Sequence, residues 1–135
     1  MMRIENHILR DILHAKNTLT AGEMNILDIS IDSRSLRNVS HTLFFALKGS
    51  NHNAHDYLTD LYEKGVRYFV VSEEVSLPND VVLFLVDNTL KALQDFVAFY
   101  RSHYDFPVIG ITGSNGKTIV KEWLNQLLSP FYNII

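Results

Sequence analysis

The sequence predicts an α/β fold built on a mostly parallel, three-layer sheet arrangement, and three observations carry that expectation. VRYFVV (66–71) and VVLFLV (81–86) are continuous apolar runs rich in β-branched and aromatic residues, the pattern of strands buried on both faces. Apolar residues at helical spacing alternate with such runs, as strand–helix–strand units require. Near the C-terminal end, FPVIGIT leads through a glycine-rich stretch into the amphipathic VKEWLNQLL, which has the order strand, loop, helix.

Along the chain, Ile4, Ile8, Leu9, Ile12 and Leu13 recur at helical spacing and predict a helix over 4–15 with one buried stripe. Ile26, Ile29 and Ile31 predict a strand ending near Asp32, where SRSLRNVS turns polar. LFFAL (43–47) is a short strand stopped by Lys48-Gly49. Tyr57, Leu58, Leu61 and Tyr62 share one face of a short helix, and Gly65 stands where a helix C-terminus favours glycine. SEEVSLPND reads as a loop between the two apolar strands, with Glu73-Glu74 solvated. Leu90, Leu93, Val97 and Tyr100 mark a longer helix of about four turns, capped by Asn88 or Thr89. Tyr62, Tyr68, Phe69, Phe84, Phe96, Phe99 and Tyr100 are read as core. FPVIGIT is a last strand and Lys117 to Leu128 a last helix.

Composition removes several classes of function. The 135 residues carry 12 basic and 15 acidic side chains, which leaves no positive field for nucleic acid. There are no cysteines, so disulfides, thiolate metal sites and a cysteine nucleophile are excluded. The longest apolar run, Val81 to Val86, falls far short of the roughly 20 residues that span a bilayer. Glu5 and Asp11 interrupt the apolar start, which reads as an amphipathic helix and not as a signal peptide. A cytoplasmic protein without membrane partners is the expectation.

The stretch GITGSNGKT, Gly110 to Thr118, has the parts of a phosphate cradle. Gly113 and Gly116 let backbone N–H groups turn inward without side-chain clash. The helix that follows points its positive dipole end at the same place. Lys117 adds a mobile charge for the terminal phosphates of ATP, and Thr118 offers a hydroxyl to Mg2+. The spacing departs from G-x-x-x-x-G-K-[ST]: Ile111 stands at the first glycine's place, with Gly110 one position early and Gly113 inside the loop. The plainer alternative is a glycine-rich turn before a helix that carries a lysine. The division falls at HYDFP (103–107), and a parallel βαβ unit takes about 30 residues or more. Residues 107–135 are therefore read as the opening of a nucleotide-binding domain and not as a whole one.

ITGSNGKT resembles the ATP loop of the Mur ligases, T-G-[ST]-x-G-K-T, through Thr112, Gly113, Ser114, Gly116, Lys117 and Thr118. Ile119 stands where a further threonine commonly follows. A second stretch resembles the amino-terminal domain of the later ligases of that family: Asp32-Ser33-Arg34, then Leu43-Phe44, Ala46 and Gly49, then His55. Two departures accompany it, Asn53-Ala54 for the usual Asp-Gly and Val39-Ser40-His41 for the usual Pro-Gly.

The resemblance implies a domain over 1–106 that binds the UDP-muramoyl-peptide (UDP-MurNAc-peptide), then the truncated start, 107–135, of the ATP-binding central domain. It implies ATP and Mg2+ as cofactors, and an acyl phosphate formed on the peptide carboxylate and attacked by an incoming amine. The likeness is closer to the members that add D-alanyl-D-alanine (D-Ala-D-Ala), including forms fused to an alanine racemase, with the third-residue ligase as runner-up. Gly113, Ser114, Asn115, Gly116, Lys117 and Thr118 are implied to hold the nucleotide phosphates, Lys117 to stabilise the transferring phosphate, and Thr118 to bind the metal. Ile31, Ser33, Arg34, Ser50, Asn51 and His52 occupy positions implied to hold the UDP end. Arg34 could equally serve a phosphate or be paired with Asp32 or another acid. His52, His55 and His41 invite a metal reading, yet nothing fixes a third ligand. The remaining ligase domains are the expected partners, and 1–135 alone is expected to be catalytically inert. A stand-alone α/β binding domain and a small P-loop kinase are the alternatives.

Overall fold

Apolar residues on both faces of a strand need cover on both sides, and the computed structural model of the chain supplies it for its central sheet. The structure describes residues 2–17, 23–50 and 52–134. The strands are β1 (Met2–Glu5), β2 (Glu23–Ile26), β3 (Asp28–Ser30), β4 (Thr42–Phe45), β5 (Tyr68–Val71) and β6 (Val82–Leu85). The helices are α1 (Asn6–Leu13), α2 (Leu58–Glu63), α3 (Thr89–Ser102) and α4 (Lys117–Leu128). β3, β4, β5 and β6 form a four-stranded sheet in that order, parallel throughout, with Ile29, Leu43, Tyr68 and Val82 in register.

Alternation along the strands divides the core in two. Leu43, Phe45, Val70 and Phe84 face one side, where Leu9 and Leu13 of α1 and Ala92 and Phe96 of α3 cover them. Phe44, Ala46, Phe69 and Val71 face the other, against Ala54, Leu58 and Leu61. Helix α2 is short, so loops complete this second layer. Leu36 and Val39 from the β3–β4 connection pack there, as do Val75 and Leu77 from the loop after β5. Gly65 ends α2 with φ 106°, a left-handed value that glycine adopts without strain, and its N–H donates to the Tyr62 carbonyl at 2.9 Å.

The structure corrects the expectation of a helix over 4–15. Residues 2–5 are β1, paired antiparallel with β2 through Ile4 opposite Met24, and the helix begins only at Asn6. Ile4 is buried as part of this ladder, so an apolar residue in phase with the helix is a strand residue. Ile8, read as part of the buried stripe, is exposed. The single strand expected through Ile26, Ile29 and Ile31 is two strands in two sheets, broken at Leu27.

Helix α3 is capped by Asn88, whose side chain accepts the Lys91 N–H; Phe96, read as core, is buried, whereas Tyr100, also read as core, is not. Thr89, Ala92 and Phe96 are buried, while Leu90, Val97 and Tyr100 are exposed. Phe96 sets the phase by packing on Phe45, with ring centroids 6.1 Å apart.

Strand β6 lies at the sheet edge, where unpaired backbone groups invite pairing with another chain. The Lys16 N–H donates to the Leu85 carbonyl at 2.7 Å. The Asn17 side chain accepts the Leu85 N–H and donates to the Leu83 carbonyl, standing in for a peptide group of the missing neighbour.

The chain divides into two compact units, Met1–Tyr104 and Asp105–Ile135. In the second, FPVIGIT forms no strand, contrary to expectation. A strand exists through ladder hydrogen bonds to a neighbour, and no strand is assigned in this unit among the described residues. Helix α4 spans the expected residues, with none of them buried.

Candidate functional site

The segments leaving the C-terminal ends of β3 and β4 enclose a pocket of about 530 Å³, lined by Ile31, Asp32, Ser33, Arg34, Phe44, His52, Ala54 and Tyr57. That size suits a small-molecule ligand, and the carboxyl edge of parallel strands is where α/β sheets bind theirs. Of the residues expected at the UDP end, Ile31, Ser33, Arg34 and His52 come together here. Ser50 is not part of the lining. Asn51 lies outside the described residues.

The 31–34 turn is built around Asp32. Its Oδ1 accepts the Arg34 backbone N–H at 3.0 Å, an Asx turn. The same carboxylate accepts a forked pair from the Arg34 guanidinium, Nε to Oδ1 at 2.9 Å and a terminal nitrogen to Oδ2 at 3.0 Å. The hydrogen bonds from Arg34 hold Asp32 down to about 2, and Asp32 in turn raises Arg34. The choice left open for Arg34 thus falls on Asp32 in this state. The guanidinium is nevertheless 88% exposed and keeps donors directed to solvent.

Two further lining residues, His52 and Tyr57, stack, with ring centroids 5.4 Å apart and an interplanar angle of 26°. Tyr57 remains 39% exposed, so part of the platform faces open space. Its spacing from Leu58 and Leu61 places it on one face of a short helix with them. Here it belongs to a 3₁₀ turn, Ala54–Tyr57, whose different phase turns its ring to the pocket. Asp32, Phe44 and Ala54 are further lining residues that sequence reasoning missed, although the motif positions around Phe44 were visible.

His55 is buried and its ring is fully engaged. Nε2 accepts the Ser72 N–H at 3.0 Å, which places the proton on Nδ1, 2.7 Å from the Asn53 Oδ1. Burial is the main cause lowering its pKa. Both nitrogens being occupied, His55 is unavailable to a metal, and no group of three metal-ligating side chains occurs among the described residues. Glu73, read as solvated, pairs with Lys48.

In the second unit, Gly113 and Gly116 have φ of 143° and 79°, and α4 starts at Lys117 with Gly116 as its N-cap. The Lys117 ammonium donates to the Gly113 carbonyl, folding its charge back over the loop. Residues 113–118 are all exposed. The Thr118 hydroxyl, in the first turn of α4, is a hard oxygen of the kind Mg2+ accepts. The loop therefore fits a phosphate with its cation.

No family model matches the chain. Over 118 residues it is 38% identical to the UDP-N-acetylmuramoyl-tripeptide–D-alanyl-D-alanine ligase of Synechocystis, a match covering 87% of this chain and 26% of that protein. It is 32% identical over 124 residues to the UDP-N-acetylmuramoyl-L-alanyl-D-glutamate–2,6-diaminopimelate ligase of Clostridioides difficile, covering 90% and 25%. A crystal structure of MurF from Acinetobacter baumannii superposes with a TM-score of 0.79 at 27% identity, over 97% of this chain and 28% of that one. The chain belongs to the Mur ligase family. This Mur ligase chain spans 26% of the length of its Synechocystis relative. MurF ligase from Thermotoga maritima, solved in complex with ADP, shares the fold with a TM-score of 0.68 at 24% identity, over 80% of this chain and 24% of that one.

Proposed function

We propose that residues 1–106 hold the uridine diphosphate end of UDP-N-acetylmuramoyl-tripeptide for a cytoplasmic, ATP-dependent ligase that adds D-alanyl-D-alanine. Residues 107–135 open its ATP-binding domain. The pocket carries this reading: an aromatic platform and an arginine line one space of about 530 Å³. Stacking a base on aromatic rings contributes about 1–3 kcal/mol, and the exposed face of Tyr57 is the surface for it. The Asp32 carboxylate fixes the plane of Arg34, whose solvent-facing donors then address the diphosphate without breaking the pair. The Ser33 hydroxyl supplies a further hydrogen bond at the same turn.

Residues 113–118 receive the phosphates of ATP. Gly113 and Gly116 open the backbone so that its N–H groups and the α4 N-terminus converge. Lys117 exchanges its bond to the Gly113 carbonyl for phosphate oxygens and offsets charge on the group being transferred. Thr118 is the residue that would hold Mg2+, which when bound adds charge neutralisation at the phosphates. The acyl phosphate expected of this chemistry needs no nucleophile from the protein, so positioning and neutralisation are what these residues contribute. The name of the diaminopimelate ligase relative keeps third-residue addition as the second reading, since the motifs at 32–34 and 112–118 suit both.

Titration of UDP-N-acetylmuramoyl-tripeptide into the labelled chain tests the first half by NMR. Shift changes are expected at 31–34, His52 and Tyr57. Saturating ligand without such changes would overturn the assignment. For the loop, Lys117→Ala is expected to abolish the shifts that magnesium-ATP produces at 113–118.

A further inference from the structure

The pocket wall made by His52 and Tyr57 belongs to residues 48–57, which leave the sheet after β4 and return as the 3₁₀ turn before α2. Inside that segment the Gly49 N–H donates to the His52 carbonyl at 2.8 Å, and the Ala54 N–H to the Leu47 carbonyl at 3.0 Å. These bonds shape the loop but do not fix it to the sheet beyond β4. The link to β5 is made by side chains. His55 Nε2 accepts the N–H of Ser72, the residue directly after β5, at 3.0 Å. On its other side, the Asn53 Oδ1 takes both the His55 N–H at 3.2 Å and the ring Nδ1 at 2.7 Å. Lys48 reaches Glu73 beside the same strand end, and a side-chain hydrogen bond from Asn53 also acts on Glu73.

We propose that His55 is the positioning residue of the nucleotide pocket, pinning the 48–57 segment, and with it the His52–Tyr57 platform, to the end of β5. The inference rests on the nucleotide reading of the pocket and adds to it the residue that holds the platform in place. His55 does not line the pocket; it acts through Asn53 and Ser72. An imidazole serves because it presents a donor and an acceptor in opposite directions from one rigid ring. Losing this bond takes from the part-buried Ser72 N–H the acceptor that Nε2 supplies, which costs stability where water does not replace it.

The test titrates uridine diphosphate into the full chain and into two variants, with amide and ring contacts followed by NMR. His55→Ala removes both bonds, and His55→Gln keeps an oxygen able to accept the Ser72 N–H. If unpinning leaves the platform assembled about a tenth of the time, the apparent Kd rises about tenfold. His55→Ala is expected to show that rise, loss of the His52–Tyr57 ring contact and faster exchange at Ser72. His55→Gln is expected to recover most of the affinity, which a general loss of stability would not allow. Equal binding by wild type and His55→Ala, with the ring contact intact, overturns the proposal and leaves the nucleotide reading standing. Absence of binding to wild type defeats the nucleotide reading, and with it His55's role in positioning that ligand. The ring contact in the unliganded variants then decides separately whether His55 pins the segment. Should His55→Ala fail to fold, Asn53→Ala cuts one side of the link. A smaller loss of affinity with partial loss of the ring contact supports the proposal, and unchanged affinity overturns it.

Discussion

Asp32 shows how one side chain can organise a turn and set the charge of a pocket. Its carboxylate holds the Arg34 backbone and guanidinium together, and those bonds lower its pKa to about 2. The folded value lies below the unfolded one, so the pair contributes stability fully present above pH ~3.9 and lost as pH falls through about 2. A carboxyl-carbon NMR titration is expected to find the Asp32 midpoint near that value, and Arg34→Ala to return it towards ~3.9. An unchanged midpoint in the variant would show that Arg34 is not the cause. Much of this corner is legible through the resemblance of Asp32-Ser33-Arg34 to the Mur ligase motif, which implies Ile31, Ser33 and Arg34 at the UDP end. Tyr57 was not legible as a pocket residue. Its spacing from Leu58 and Leu61 fits an α-helix, and only the 3₁₀ phase of Ala54–Tyr57 separates it from their face. The forked pair between Asp32 and Arg34 was one of two open choices, since a sequence gives residue types but not the rotamers that bring them together.

At the scale of elements, period identifies a segment more reliably than it identifies the buried face. Strands β5 and β6 and helix α4 follow from their patterns, and Asn88 caps α3 as its residue type suggests. The face of α3 is only partly legible: Phe96, read as core, is buried, but Tyr100, also read as core, is exposed, and the core takes Ala92 as well. Small residues such as Ala92 carry little hydrophobic signal, although they allow a helix to approach a sheet closely. Substitutions separate the two faces. Phe96→Ala is expected to cost about 3–5 kcal/mol in denaturant unfolding, while Leu90→Ala and Val97→Ala stay within about 0.5 kcal/mol, as surface changes do. Comparable losses at Leu90 and Phe96 would mean that the helix is rotated from this arrangement. Where a segment's state depends on a distant partner, its own pattern is insufficient. Residues 2–5 are a strand because Met24 and Ile26 lie opposite Ile4 and Met2, and FPVIGIT is not a strand because no ladder partner meets it among the described residues.

For the whole molecule, the parallel order β3-β4-β5-β6 links the candidate pocket to global stability. The pocket is made by chain leaving β3 and β4, and β4 carries Leu43, Phe44 and Phe45 into both layers of the core. Unfolding either strand therefore destroys the pocket, so a ligand bound there must be released before the sheet can open. Such a ligand stabilises the folded chain by mass action, by about 2.7 kcal/mol at a concentration of 100 Kd. Uridine diphosphate at that concentration is expected to slow globally exchanging amides in β4 and β5 about 100-fold, the same free energy expressed as an exchange ratio. Amides that exchange through local fraying, with no loss of the pocket, gain nothing. Protection confined to 31–34 and 52–57, with the β4 and β5 amides unchanged, would mean that the ligand site forms and dissolves without the sheet. That result would contradict a pocket founded on the strand ends, because every route to opening β4 passes through the loss of Phe44 from its lining.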